Sequence, residues 1–412
     1  MKPRILVCPK DHPELSSGYG IMTHHLLPRL AAHYGKDSLF VLAPVPQALY
    51  VGEYQGMKVL PGPRQDWGED IMLQHYHQYE CNMLLHIGDV WPLGPLTDWA
   101  RAGEVHWVSW MAVDWMGMPK NILYRIDAAH WLVPFSRYGE NSLRKTGLTN
   151  VGEAIWIGLD LDIWRPLSPE VVAREGPRFG YVDSPDVLNI LIVGANQERK
   201  GILQQLEGIA LWHKRTNHKF HLYLHSMARG ERDFLADLDE LGIRSFVRMP
   251  DPYILESGGF PEQDMVVPFC CADLLLNVCQ EGFGMSVAQA QAVGLPVVIL
   301  SESACTEFTV YGWETPPGDV FVTGANQHRS AVPNPAAIAA VLDEAAEMKK
   351  AGKLQRSQKA IDYIRKNMSW DLIAQKWIKT IDSCMERYEA SCPVPPLPAR
   401  NSQEIREVPW LA

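Results

Sequence analysis

Short, mainly apolar stretches recur through the first part of the chain, each followed by a longer segment in which apolar and polar positions interleave. The stretches at Arg4–Cys8, Ser38–Leu42, Lys58–Leu60, Met83–Ile87, Val105–Trp110, His130–Val133 and Gly152–Ile157 predict strands. Strands apolar on both faces belong inside a parallel sheet, and the interleaved segments supply the helices that cover it. The rhythm returns with a strand at Leu188–Val193, a loop from Gly194 to Gly201, a helix to Arg215, and strands at His221–Leu224 and Ser245–Met249. It closes with a strand at Asp273–Cys279, a glycine loop, a helix over Met285–Val293 that ends at Gly294, and a strand at Leu295–Leu300. Beyond Pro333 the pattern turns helical, over Pro335–Lys349, Leu354–Lys366 and Trp370–Tyr388, with Ser369 placed to cap the last.

This pattern predicts an α/β protein of two Rossmann-like domains facing each other across a cleft. The expected division is 1–160, 161–368, a closing helix at 369–391, and a proline-rich tail at 392–412 that is loosely docked or disordered. At 412 residues the chain exceeds the usual size of one hydrophobic core, which agrees with two domains. No internal repeat interrupts the pattern.

Composition narrows the class. Hydrophobic residues make up 47% and charged residues 21%, as in a globular enzyme, and no apolar run approaches the ~18 residues of a membrane span. The N-terminal residues lack a signal-peptide core, so a cytoplasmic location is expected. Eight cysteines without a CxxC pair read as reduced core thiols. The formal charge of −10 divides into about −3 for residues 1–165 and −7 for the rest, which argues against an extended polyanion-binding face.

Candidate chemistry sits where strands meet helices through glycine. Ser16-Ser17-Gly18-Tyr19-Gly20 opens the first helix, and Gln280-Glu281-Gly282-Phe283-Gly284 opens the helix that begins at Met285. Gly282 and Gly284 let backbone approach a ligand, and a helix start presents free N–H groups and a positive dipole end to an anion. Glu281 would repel a bare phosphate, so a phosphate that carries a hydroxyl-rich sugar is the better guest. Gly194 to Gly201 adds Asn196 and the adjacent cations Arg199 and Lys200, which suit a diphosphate; an isolated Arg-Lys pair can also be a solvated turn.

The Glu281-Gly282-Phe283-Gly284 segment resembles the donor motif of retaining glycosyltransferases with the B-type fold, chiefly the large family-four group. The Lys200-Gly201 pair, the linker Gly158-Leu159-Asp160 followed by Trp164 and Pro166, and the Ser369-Trp370-Asp371 helix start resemble other marks of that group. The resemblance spans nearly the whole chain and has a divergent, phage-type cast. It departs at Ala195, where the family carries a basic residue, at Gln289 in place of the second glutamate, and at Val113 in place of a histidine.

What the resemblance implies is transfer of a hexose from a nucleotide-diphosphate sugar, with UDP-glucose as the default donor, by a front-face mechanism. It needs no divalent metal, because Arg199, Lys200 and the helix start neutralise the leaving diphosphate. Glu281 would contact the donor sugar, Gln289 the ribose, and Gly18, Gly20, Met285 and Ser286 the rest of the donor. Asp114 would orient an acceptor hydroxyl or a donor oxygen, with helix capping as its alternative; Asp89, Trp110 and Trp115 are weaker acceptor candidates. The acceptor is a carbohydrate or small molecule, or a hydroxymethylated base in DNA, which an enzyme would have to flip from the stack. A non-catalytic sugar-nucleotide binder is the reading from another class. Asp160 and Asp162 imitate a metal-binding DxD motif but read as a connector, and His75, His77 and Cys81 lack a known zinc spacing.

Overall fold

The computed structural model describes residues 2–42, 51–62, 68–90, 93–115, 117–256, 259–323 and 328–391; the tail expected at 392–412 lies outside them. The first sheet contains β1 (Ile5–Pro9), β2 (Leu39–Val41), β3 (Gly52–Tyr54), β4 (Met57–Val59), β5 (Met83–Ile87), β6 (Trp107–Met111) and β7 (Trp131–Pro134), in the order β3-β4-β2-β1-β5-β6-β7. All its pairs are parallel except β3 with β4. That hairpin turns through Gln55 and Gly56, both at positive φ, the twist that a two-residue turn requires.

The second sheet is parallel throughout. It contains β8 (Val187–Val193), β9 (Lys219–His225), β10 (Val247–Arg248), β11 (Leu274–Asn277), β12 (Val297–Leu300) and β13 (Gly312–Thr315), in the order β10-β9-β8-β11-β12-β13. An antiparallel hairpin of β14 (Pro317–Thr323) and β15 (His328–Pro333) stands apart. β1, β5, β11 and β12 are buried at every residue, which is why they read as mainly apolar runs, with His86 in β5 and Asn277 in β11 the polar exceptions.

Both sheets reverse strand order beside their first strand. The chain runs outward from β1 and returns on its other side as β5; it runs outward from β8 and returns as β11. In open α/β sheets, ligands settle outside the carboxyl ends of strands at such a reversal. One apolar cluster joins the two bodies, running from Ile5 and Val133 through Trp164 and Trp370 to Leu191 and Leu275.

The linker crosses between the bodies under the C-terminal helix. Leu159 N donates to Met368 O at 2.7 Å, and a Cβ on Gly158 would lie 2.6 Å from the Trp370 ring, so glycine permits the crossing. The helix Trp370–Ser391 then returns to the first body. Its Trp377 meets Trp110 edge-on at 5.2 Å, and Tyr34 donates its hydroxyl to Asp382 at 2.9 Å.

Several elements differ from the sequence expectation for local reasons. Residues 152–157 form an extended connector, with a single bridge from Val151 to Leu132. The strand expected at Ser245–Met249 shrinks to two residues, because a 3-10 turn occupies Arg244–Phe246. The opening helix starts at Gly18, with the Ser17 hydroxyl accepting from Gly20 N, and the helix expected from Leu354 starts at Gln358 behind Ser357. β13 is short and polar, so it lacked the apolar signature of an interior strand.

Trp377 is fully buried at the junction. Replacing it with alanine is expected to cost about 3–5 kcal/mol, read as a lower urea midpoint for loss of far-ultraviolet dichroism; a midpoint within error of wild type would remove the helix from the folding core.

Candidate active site

The carboxyl ends of β1, β5, β8 and β11 face one another across a cavity of about 660 Å³. Lys10 and Asp89 follow β1 and β5 on the first wall, and Gly194 and Glu281 follow β8 and β11 on the second. The walls touch where the glycine loop meets the segment after β6. A Cβ on Gly282 would lie 2.9 Å from Val113 N and 3.0 Å from the Ala112 Cβ, so only glycine allows this approach. Gly284, at φ +89, would drive a Cβ to 2.3 Å from Cys305 Sγ, and it starts the helix Met285–Ala292 without a side-chain cap. Met285 and Ser286, in its first turn, line the cavity.

Three ion pairs are built into these walls. Lys200 Nζ lies 2.5 Å from Glu281 Oε1, Arg199 reaches across the cleft to Asp114 Oδ2 at 2.9 Å, and Lys10 Nζ meets Asp89 Oδ2 at 2.9 Å. The Glu281 backbone is fixed by the Ser303 hydroxyl, which accepts from Glu281 N, and Ala304 N donates to Glu281 O. Cys279 Sγ approaches Glu281 Oε1 at 3.5 Å.

The charges follow from this packing. Burial pushes the Glu281 carboxyl up, but Lys200 and Arg199 outweigh it and hold it below the ordinary carboxylate range. Asp89 behaves likewise, with burial opposed by Lys10, Tyr19 and Arg199. Burial, and then the neighbouring Glu281 charge, raise the Cys305 thiol to about 12. Burial lowers Arg199, yet Asp114 and Glu281 more than compensate and keep it charged.

Of the residues singled out from sequence, Glu281, Arg199, Lys200, Asp114, Gly18, Gly282, Phe283, Gly284, Met285, Ser286, Asp89 and Trp115 line this one cavity. Four do not. Trp110 is wholly buried behind the first wall, and its indole N–H donates to Ile155 O, so it packs the interior and offers no platform to a ligand. Gly20 lies against the Leu15 carbonyl, 2.1 Å from where a Cβ would sit, and serves the turn. Asn196 spends its amide on Met227 O, Arg232 O and Arg232 N, pinning neighbouring loops together. Gln289 is buried one helical turn beyond Met285, behind the lining residues.

Lys10, Tyr19 and Glu231 line the cavity without having been singled out. The position of Lys10 immediately after β1 was a usable signal, since strand ends at an order reversal carry site residues. Tyr19 sat unnoticed between the two glycines of the opening turn. Asp160 Oδ1 accepts from Asp162 N and Ile163 N, the work of a turn. Among the described residues no group of three or more His, Cys, Asp or Glu could hold a metal, and no helix is long and apolar enough to cross a membrane.

Comparison with known proteins places this geometry. No family model matches the sequence, and no curated protein matches it either. Solved structures do match. A glycosyltransferase from Rickettsia africae ESF-5 shares 13% identity over 93% of this chain and 98% of its own, at a TM-score of 0.66. Anabaena Alr3699/HepE, in complex with UDP and glucose, shares 15% over 92% of this chain and 99% of its own, at 0.65. WaaG, a glycosyltransferase involved in lipopolysaccharide biosynthesis, shares 15% over 90% and 98%, also at 0.65. The fold is that of the B-type glycosyltransferase structures, with two Rossmann-like bodies and a C-terminal helix that crosses back.

The depressed Glu281 pKa generates a stability prediction. A carboxylate held low in the folded state contributes stability above its unfolded pKa and loses it as pH falls through the folded value. Wild type is therefore expected to exceed Glu281→Gln in stability at pH 7, with the gap closing below about pH 4. Urea melts of both proteins across this range check it; a gap that stays constant would mean the carboxylate is not held by Lys200 and Arg199.

Proposed function

We propose that this chain is a retaining glycosyltransferase that moves a hexose from a nucleotide-diphosphate sugar, UDP-glucose by default, to an acceptor hydroxyl. The observation that carries the reading is the convergence of Glu281, Lys200, Arg199 and the uncapped start of the Met285 helix on one wall of a cavity between two Rossmann-like bodies. The similarity to Anabaena HepE in complex with UDP and glucose supports the donor class. The second body, 161–368, holds the donor, and the first, 1–160, receives the acceptor.

The proposed chemistry asks little acid or base work of the protein. The acceptor oxygen bonds to the anomeric carbon on the face from which the diphosphate departs. The bond from that carbon to the phosphate oxygen breaks with its electron pair, and the acceptor proton passes to the departing oxygen. The products are a glycoside and a nucleoside diphosphate. Lys200, Arg199 and the N–H groups at the start of the Met285 helix stabilise the charge that gathers on the leaving group. In this reading Glu281 exchanges part of its contact with Lys200 for the hydroxyls of the transferred sugar, and protein cations do the work of a divalent metal; Gln289, buried behind the lining residues, is left without a contact to the ribose.

Released UDP, measured with UDP-glucose as donor, separates an enzyme from a sugar-nucleotide binder. Glu281→Gln is expected to keep the fold and much of the UDP affinity while losing turnover by roughly a hundredfold, as when a sugar-orienting contact is removed. Unchanged turnover would sink the assignment of Glu281. Lys200→Ala should weaken donor binding and slow transfer together, since one charge serves the bound and the departing diphosphate. Activity is expected to persist in excess chelator; loss that magnesium or manganese restores would show that a metal supplies the charge instead.

A further inference from the structure

The wall opposite the donor carries a side-chain cluster of its own. Asp89 follows β5 and accepts from Lys10 Nζ on one oxygen at 2.9 Å and from the Tyr19 hydroxyl on the other at 3.0 Å. Lys10 also lies over the Tyr19 ring, 5.2 Å from its centre. All three side chains line the cavity. Beneath them the buried His86 ring is bonded to the Ser109 hydroxyl at 3.0 Å, which fixes the end of β5. A carboxylate has about four acceptor positions, so these two donors set the orientation of Asp89 and leave a lone pair on each oxygen for a ligand. Two such lone pairs, pointing from one rigid group, match the paired hydroxyls of a sugar ring. Trp115, buried beside them, supplies an apolar wall.

Charge decides what kind of sugar. Among the described residues of the cavity, the cations Lys10, Arg199 and Lys200 are each engaged by a carboxylate, and Glu231 adds one acid more. A bound donor brings its own diphosphate. An acceptor that also carried phosphate would enter a confined site already richer in negative than in positive charge, where like charges repel more strongly than in water. We infer that Asp89, held by Lys10 and Tyr19, forms the acceptor subsite for an uncharged carbohydrate that presents neighbouring hydroxyls, and that this carboxylate excludes phosphorylated acceptors. The inference rests on the glycosyltransferase reading and adds the acceptor class to it.

The test compares acceptors at saturating UDP-glucose and measures UDP affinity separately by calorimetry. The probes are methyl hexosides, the corresponding hexose 6-phosphates, and duplex DNA containing hydroxymethylcytosine. Wild type is expected to use a methyl hexoside at least ~10-fold better in kcat/KM than its 6-phosphate or the DNA, in line with a like-charge penalty. Asp89→Asn should raise KM for the neutral acceptor about 10-fold or more, leave UDP affinity in place, and shift preference towards the 6-phosphate, because Lys10 loses its counter-charge. A purely structural role would not move that preference. Tyr19→Phe, which keeps the ring and its packing, should raise acceptor KM a few-fold with little change in kcat, and it serves as the second variant if Asp89→Asn fails to fold. Preference of wild type for a 6-phosphate or for DNA, no shift in preference in Asp89→Asn, or failure of every methyl hexoside while UDP still binds would each overturn the subsite. Failure of UDP itself to bind would overturn the donor reading instead.

Discussion

Cations half-buried in a cleft must be balanced before any ligand arrives, and the rest of this site is arranged around that constraint. Desolvating an ammonium or guanidinium costs on the order of several kcal/mol, repaid only by close, well-aligned partners. Lys200 and Arg199 stand on the loop after β8, where a ligand anion would need them, yet in the protein as folded they are held by Glu281 and Asp114. The second of these pairs spans the cleft. The electrostatics that would serve a diphosphate therefore also help to hold the two bodies face to face.

The scaffold makes this balance possible. Strand order reverses beside the first strand of each sheet, and the reversal points are brought opposite each other by the linker and by the returning C-terminal helix. Glycine appears where backbones must nearly touch: Gly282 against Ala112 and Val113, and Gly158 beneath Trp370. A second acid, Glu307, accepts from Arg137 N, Tyr138 N and the Trp156 indole, so a carboxylate of the second body caps a helix of the first. The closed cleft thus rests on polar contacts at its edges as well as on the apolar cluster that joins the bodies.

Much of this was legible in the sequence because the governing signals are local. Mainly apolar runs marked β1, β5, β8, β11 and β12, and glycines at strand ends marked the two loops whose residues meet in the cavity. What the sequence hid is set by tertiary distance. The polar, four-residue β13 gains its place from pairing with β12 and carries no pattern of its own. Trp110 stood near Asp114 in sequence and looked equally available, yet it lies within β6, which is buried at every residue, whereas Asp114 follows the strand end. Asn196 sat within a ligand-like loop but closes hydrogen bonds to a neighbouring one. Lys10 and Tyr19 take their meaning from Asp89, 79 and 70 residues away along the chain, a pairing that no periodicity announces.

The account stands on the claim that Arg199, Lys200 and the start of the Met285 helix form a diphosphate site. Calorimetric titration of the unmodified protein with UDP and with uridine tests that claim most directly, since the two ligands share base and ribose and differ in the diphosphate. UDP is expected to bind at least about a hundredfold more tightly, with a margin that shrinks as salt is raised. Equal affinity for the two, or a margin indifferent to salt, would contradict it.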